Sequence, residues 1–197
     1  RGPLDDLQRA QLDVLLGRIA FAGNRGNDAS PLMLKAASRL EHVDLRLAHE
    51  TYLDALIAAL FAGRLGADAN VQVVAGAARA APRSVEAVPA PELLLDGLAL
   101  LVTEGWTPGT AVLKKAIKAF RAEDVGIDEQ LRWSWVAGGA AGVIWDYDNW
   151  DLLTAREERL ARDAGALAVL PITLSIRAGV RALAGDVTEA GFLVDQV

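Results

Sequence analysis

The sequence predicts an all-α protein in which helical hairpins stack into an α-solenoid. Hydrophobic residues make up 52% of the chain, and alanine and leucine dominate them, a composition that favours helix. Within residues 48–65 the apolar side chains recur every three or four residues, which places them on one helix face that ends at Gly63. Helix ends of this kind recur at Gly23, Gly63, Gly105 and Gly185.

The spacing of these glycines indicates a repeated unit. The steps are 40, 42 and 80 residues, so one unit of about 40 residues repeats and one copy lacks its glycine. A second helical pattern follows each glycine within a few residues. A helix pair that repeats at this period is typical of an α-solenoid. We therefore expect about five hairpins, with the last one truncated.

The first two hairpins follow from apolar periodicity and from turn residues. Ser30 and Pro31 predict a helix start, because serine caps free N–H groups and proline lacks the N–H that the first helical position leaves unused. Asp44 is placed to cap the next helix. The four predicted helices cover residues 4–22, 31–40, 44–62 and 71–81.

Residues 82–91 form the clearest linker, since three prolines in ten residues prevent a regular helix. The linker either divides the array into two sub-blocks or is a surface loop within one domain of residues 1–197. We favour the loop because the 40-residue phase continues through it. Asp128 is expected to cap a later helix, and Pro171 to bend or offset another. The remaining predicted helices are 92–104, 107–121, 128–145, 148–164, 166–183 and a short one after Asp186.

Composition narrows the function classes. The net charge of −6 argues against a nucleic-acid surface, and the lack of cysteine excludes disulfides and thiolate chemistry. No apolar run approaches the length of a membrane helix. His42 and His49 have no convincing third zinc ligand, so we expect both at the surface. Because the sequence lacks an initiating Met and ends at Val197 within an apolar pattern, we expect a fragment of a longer cytoplasmic protein.

Four stretches together resemble one known family. They are RGNDASPLMLKAASRLE (25–41), AHETYLDALIAALFAGRL (48–65), LLLDGLALLVTEG (93–105) and LARDAGALAVLPITLSIRAGVRALAGD (160–186). In this order and spacing they are similar to the helical-repeat segment of the large ATP-binding LuxR-type transcription regulators of actinobacteria, the MalT-like group. The resemblance covers nearly the whole chain.

The resemblance implies a right-handed, tetratricopeptide-like solenoid that acts as a non-enzymatic sensor and scaffold. Such a segment would bind a protein partner or a small-molecule inducer and relay the signal to an ATPase and a helix-turn-helix domain outside it. The chain contains no G-x-x-x-x-G-K-[ST] phosphate loop, so ATP is expected only in a missing N-terminal domain, and no cofactor is expected here. We expect no direct binding of nucleic acid or membrane.

Two other interpretations remain open. Asp146, Asp148 and Asp151 could form the metal site of a small helical enzyme, although an EF-hand-type loop needs an oxygen ligand where Trp150 stands. A helix start with an N-cap explains these aspartates better. The other interpretation is a free-standing tetratricopeptide-like adaptor with no regulator attached.

The aromatic segment is the strongest candidate for binding. Trp133, Ala137, Ala140 and Ile144 would share one helix face, and Trp135, Gly138, Gly142 and Trp145 a second. The glycines either let a neighbouring helix approach closely or leave a pocket walled by indoles, and packing is favoured. Tryptophan and arginine are the residues that most often carry binding energy. The predicted binding residues are Arg132, Trp135, Trp145, Tyr52 and Arg177.

The predicted solenoid also exposes an apolar end, because a repeat array buries each face against its neighbour. The residues expected there are Leu183, Phe192, Leu193 and Val197. We therefore expect self-association through this end.

Overall fold

A computed structural model describes residues 5–23, 26–63, 70–83, 88–122, 126–167 and 169–197. All regular secondary structure in these ranges is helical, which confirms the all-α fold. The helices are α1 (Asp6–Ala22), α2 (Gly26–Leu40), α3 (Leu45–Ala62), α4 (Val71–Ala80), α5 (Ala90–Thr103), α6 (Trp106–Arg121), α7 (Ile127–Val143), α8 (Tyr147–Asp163), α9 (Leu170–Leu183) and α10 (Val187–Val194). None of the described helices is both long and apolar enough to cross a membrane.

Side-chain caps fix several helix starts. Asp44 accepts a hydrogen bond from the Leu47 amide, 2.9 Å away, so the predicted cap of α3 is confirmed. Asp5 and Gln8 form a reciprocal capping box at α1, and Asn70 caps α4. These caps satisfy N–H groups that the first turn of a helix leaves without intrahelical partners.

Three predicted details of the helix ends are wrong. Helix α2 begins at Gly26, so Pro31 lies inside the helix and Ser30 is buried. Gly126, not Asp128, is the N-cap of α7, and Asp128 lies in the first turn, where its charge complements the helix dipole. Pro171 starts α9 instead of bending it, because the helix begins at Leu170.

The chain divides into two compact units, residues 1–112 and 113–197, and the division falls within α6. Of the predicted linker, residues 82, 83 and 88–91 lie inside the first unit, and residues 84–87 lie outside the described residues. In that unit α1 packs on α2, α2 on α3, and α3 on both α4 and α5. The first layer of the core contains small and medium residues: Ala10, Val14, Ala36, Leu40 and Ala48.

In the second unit α7 packs on α8, α8 on α9 and α9 on α10. Arg156 of α8 donates a hydrogen bond to the backbone oxygen of Phe120 at the end of α6, 3.4 Å away. Leu193 of α10 packs with Leu174 and Ala178 of α9 and is only 4% exposed. Its predicted exposure is therefore wrong, whereas the other three residues of the predicted apolar end are exposed: Leu183, Phe192 and Val197.

Candidate interaction site

One face of α7 lies in the core of the second unit. Trp133, Ala137, Ala140 and Ile144 share this face, as predicted, and each is at most 8% exposed. The Arg132 guanidinium lies 4.3 Å from the centre of the Trp133 ring, a cation–π arrangement. This face anchors α7 firmly in the unit.

The glycines of the second α7 face are covered by α8. A Cβ atom at Gly142 would lie 2.8 Å from Cε2 of Trp150, and one at Gly138 would lie 3.3 Å from Cγ2 of Thr154. The lack of side chains at these positions lets α8 approach α7 closely. The two glycines therefore serve packing and do not floor a pocket.

Trp135 is half-buried, and its Nε1 donates a hydrogen bond to the backbone oxygen of Arg132, 3.0 Å away. Trp135 and Arg132, both predicted to bind a partner, thus contact each other within α7. Ten residues of helix separate Trp135 from Trp145, which corresponds to about 15 Å along the axis. The structure does not bring these two indoles together.

Trp145 has an unusual backbone conformation at the end of α7. Its φ of 58° makes it the one non-glycine residue with positive φ among the residues that the structure describes. The Asp146 amide donates to the Ala141 oxygen at 2.9 Å and the Trp145 amide to the Gly142 oxygen at 3.1 Å. This is the Schellman arrangement, in which the left-handed residue is usually glycine.

The α9–α10 turn has the same local structure. Gly185 has a φ of 85°, its amide bonds to Ala182, and the Asp186 amide bonds to Arg181 at 2.9 Å. Asp186 then caps α10 through the Glu189 amide, as Asp146 caps α8 through that of Asn149. Trp145 is therefore equivalent to Gly185.

The repeated glycines extend this equivalence along the chain. Gly63, Gly105 and Gly185 all have positive φ, and Trp145 stands 40 residues after Gly105 and 40 before Gly185. Trp145 thus stands where the predicted repeat lacks a glycine, although Gly165, between Trp145 and Gly185, also has a positive φ of 63°. Gly23 differs, since its φ is −80°. Spacing alone could have located the substituted position.

Trp145 is 77% exposed, so its side chain gains little from packing. Val143 and Tyr147 beside it are also exposed, as are Leu183 and Val187 at the equivalent positions of the next hairpin. Arg181 Nη2 lies 2.6 Å from Asp151 Oδ1, which joins the last turn of α9 to the second turn of α8 and puts both turns at one end of the unit. We call the five residues the hairpin-end surface: Val143, Trp145, Tyr147, Leu183 and Val187.

The sequence around the hairpin-end surface is acidic. Residues 143–155 contain three aspartates and no lysine or arginine, and residues 182–197 contain two aspartates, one glutamate and again no basic residue. Asp148 and Asp186 are exposed. A partner that approaches this end meets negative charge around apolar side chains.

Arg177 belongs to an ion-pair network between α8, α9 and α10. It pairs with Glu158 and lies 3.5 Å from Glu189, and its side chain is 14% exposed. Burial alone opposes ionisation of Glu158, but the hydrogen bonds and charges of Arg162 and Arg177 outweigh it and lower the pKa of this carboxyl. The predicted binding role of Arg177 gives way to a structural one in this geometry.

The predicted acidic cluster is divided among other tasks. Asp146 is the N-cap of α8, and its Oδ2 accepts from Nδ2 of Asn149 at 2.6 Å. Asp151 pairs with Arg181. Among the described residues no group of three or more His, Cys, Asp or Glu side chains is arranged to hold a metal ion.

Tyr52 is a core residue of the first unit, with 1% exposure, so the expectation that it lines a binding surface is wrong. Its hydroxyl donates to Oε1 of Glu41 at 2.5 Å and lies 3.1 Å from Oγ of Ser38. Burial and then the bond to Glu41 raise the pKa of Tyr52 to about 12. The tyrosine therefore stays neutral and buried.

His49 is 5% exposed, so the expected surface position is wrong for this histidine, while His42 is exposed. Nε2 of His49 donates to the Pro82 oxygen at 2.9 Å. Nδ1 lies 3.1 Å from Oε2 of buried Glu92, a close electrostatic contact whose angle does not meet hydrogen-bond geometry. The sequence indication of this pair was a polar residue on the buried face of an apolar helix, His49 on α3 and Glu92 on α5.

An open groove of about 680 Å³ lies in the first unit beside the end of α2. Two of its cations are already paired, Arg9 with Asp6 and Arg39 with Asp13. This pairing weakens the groove as an anion site. It is lined by Asp6, Arg9, Lys35, Ser38, Arg39, His42 and Val43.

Comparisons with protein-family models, with curated proteins and with solved structures find no match for this chain. We therefore infer the function of the chain from its residues and their geometry.

Proposed function

We propose that the chain is a non-enzymatic, helical-repeat interaction segment of a LuxR-type transcription regulator in the cytoplasm. The observation that carries the proposal is the positive φ at Gly105, Trp145 and Gly185, in steps of 40 residues. Gly63, 42 residues before Gly105, also has positive φ but a ψ of −135°, and Gly165 has a φ of 63° between Trp145 and Gly185. The regular spacing of the first three supports one repeated helix pair.

The packing of the helices supports the same proposal. In a tetratricopeptide-like array the first helix of a pair contacts its partner helix and the first helix of the next pair. In the first unit α3 contacts both α4 and α5 in this way, whereas among the described residues α1 makes no comparable contact with α3, nor α7 with α9. Repeat arrays act through extended binding surfaces, so a protein partner or a small-molecule inducer is the expected ligand.

A free-standing adaptor with the same repeats is the second candidate. It shares every structural feature and differs only in what the gene encodes beside this chain. A metal-dependent enzyme has less support, because Asp146 and Asp151 are engaged in a cap and an ion pair.

The full open reading frame tests the proposal. A regulator requires a phosphate-loop ATPase on the N-terminal side and a helix-turn-helix domain on the C-terminal side. A frame that encodes neither would contradict the regulator and leave the adaptor.

Biochemistry of the isolated chain gives an independent test. We expect no ATP turnover above a heat-inactivated sample and no salt-sensitive shift of duplex DNA at micromolar protein. ATP turnover or DNA binding by the isolated chain would contradict the proposal that the ATPase and DNA-binding domains lie outside it. Stoichiometric metal in the purified protein would favour the enzyme.

A further inference from the structure

We propose that the hairpin-end surface is a docking site for a basic, amphipathic segment of a partner protein. The inference rests on the proposed interaction function and adds the location of the site and the chemistry of the partner.

Trp145 adopts a backbone conformation that is unfavourable for tryptophan. An L-residue in the left-handed region is disfavoured by contact between its Cβ and the backbone, and glycine avoids this contact. Gly105 and Gly185 take the matching positions in the neighbouring repeats. Since the Trp145 side chain is 77% exposed, packing within the chain does not offset this cost. Strain of this kind at an exposed residue indicates a functional requirement.

The hairpin-end surface exposes apolar side chains. Trp145 and Tyr147 are flanked by Val143, and Leu183 and Val187 repeat the pattern one hairpin later. The exposed fractions of Leu183 and Val187 are 63% and 73%. Tryptophan and tyrosine are among the residue types that most often supply the affinity at interface centres.

The hairpin-end surface is bordered by acidic side chains. Asp148 and Asp186 are exposed beside the apolar side chains, and Arg181, five residues before Asp186, is paired with Asp151. Complementary potentials attract a cationic partner and disfavour an anionic one. A second copy of this chain would bring the same negative charge, so contact between two identical surfaces is disfavoured as well. The exposed Trp145 ring also offers a face to a lysine or arginine side chain.

A pair of designed peptides tests the proposal. One is an amphipathic helix of leucine and lysine with a fluorescent label, and the other carries glutamate at every lysine position. Anisotropy is measured as the isolated chain is added. We expect the lysine peptide to bind, with an affinity that falls as NaCl rises from about 0.05 to 0.5 M, and the glutamate peptide not to bind.

Four variants locate the binding. Trp145→Gly should weaken the lysine peptide at least about tenfold, as loss of a central aromatic residue does. The double variant Asp148→Asn/Asp186→Asn should weaken it several-fold and reduce the salt dependence. Trp106→Ala removes another exposed tryptophan, and Asp128→Asn an exposed aspartate at the opposite end of α7. These two matched controls should bind like the unaltered chain.

Three results would overturn the proposal: equal affinity of Trp145→Gly and the unaltered chain, equal binding of the glutamate peptide, or sedimentation showing that the surface joins two copies. Glycine suits the left-handed conformation at position 145, so Trp145→Gly should fold normally and a loss of peptide binding can be assigned to the missing indole. The outcome is independent of the open reading frame. A regulator frame with no peptide binding would defeat the docking site alone, and peptide binding without a regulator frame would defeat the regulator alone.

Discussion

Trp145 and Gly185 occupy equivalent places 40 residues apart, each as the left-handed residue that closes the first helix of a hairpin. Both are followed by an aspartate that caps the next helix. Trp145 and Gly185 thus share one local structure, which Gly165 also adopts between α8 and α9. This relationship separates what the fold requires from what Trp145 adds.

Replacement of Trp145 by glycine should raise stability. The left-handed conformation costs an L-residue roughly 1–2 kcal/mol, and the extra freedom of glycine in the unfolded chain returns part of it. We expect a net gain of about 0.5–1 kcal/mol, measured by urea unfolding. Gly185→Ala is the reciprocal control and should lose about 1 kcal/mol. A clear loss in Trp145→Gly would show that the indole packs within the fold.

The two hairpin turns also show what the sequence could predict. Apolar periodicity predicted the helices, because this pattern depends on nearby residues alone, and glycine spacing predicted the helix ends at Gly63, Gly105 and Gly185. The cap at Asp44 followed in the same way. Nothing local indicated that tryptophan replaces the missing glycine, since tryptophan is unusual in that conformation.

Long-range packing explains the other differences. The sequence predicts that Tyr52 faces a binding groove and that His49 lies at the surface, but hydrogen bonds to Glu41 and to the Pro82 oxygen make their burial tolerable. Arginine is a residue type that often binds partners, but Arg177 of α9 instead pairs with Glu158 of α8. Such pairs depend on how helices meet, and periodicity does not contain that information.

The close approach of α7 and α8 gives a second prediction. Gly142→Ala should destabilise the chain by roughly 1–3 kcal/mol, because the new Cβ would lie 2.8 Å from the rigid Trp150 ring. Gly139→Ala is the control on the same helix, where a Cβ meets nothing within 4 Å. That change should stabilise by up to about 1 kcal/mol. Thermal unfolding of both variants compares the two glycines, and equal effects would contradict the packing.

Glu157 makes stability depend on pH. It is 1% exposed, its Oε1 accepts from Thr173 at 2.9 Å, and burial raises its pKa to about 7, although the Thr173 bond lowers it in part. Between pH 4.5 and 7 the folded state holds the proton that the unfolded state has released. Stability is therefore full below the unfolded pKa and is lost as pH rises through the folded pKa.

We expect a loss on the order of 2–3 kcal/mol across this window, followed by differential scanning calorimetry. Glu157→Gln should remove the dependence and raise the melting temperature at pH 8. Glu158 behaves oppositely, since its lowered pKa makes its contribution present at neutral pH and lost in acid. Glu158→Gln should therefore destabilise at pH 8. A Glu157→Gln variant that keeps the slope would contradict the assignment.

The buried His49 and Glu92 side chains should be energetically coupled. Loss of either side chain removes a contact between two buried polar groups, although His49 keeps its bond to the Pro82 oxygen and Glu92 lies 3.9 Å from Arg83. His49→Ala and Glu92→Gln should each destabilise by roughly 1–3 kcal/mol, and the double variant by less than their sum. A double-mutant cycle in urea measures the coupling. Additive effects would show that the 3.1 Å contact contributes nothing.

We propose that a partner docked at Trp145 changes transcription through this chain. The most direct measurement places Trp145→Gly in the full-length chromosomal gene and compares its protein level and transcript profile with those of the unaltered and deleted gene. We predict an undiminished protein level and a transcript profile that shifts towards that of the deletion strain. A variant whose transcripts stay unaltered while those of the deletion strain change would contradict the proposal, and so would unaltered transcripts in both strains.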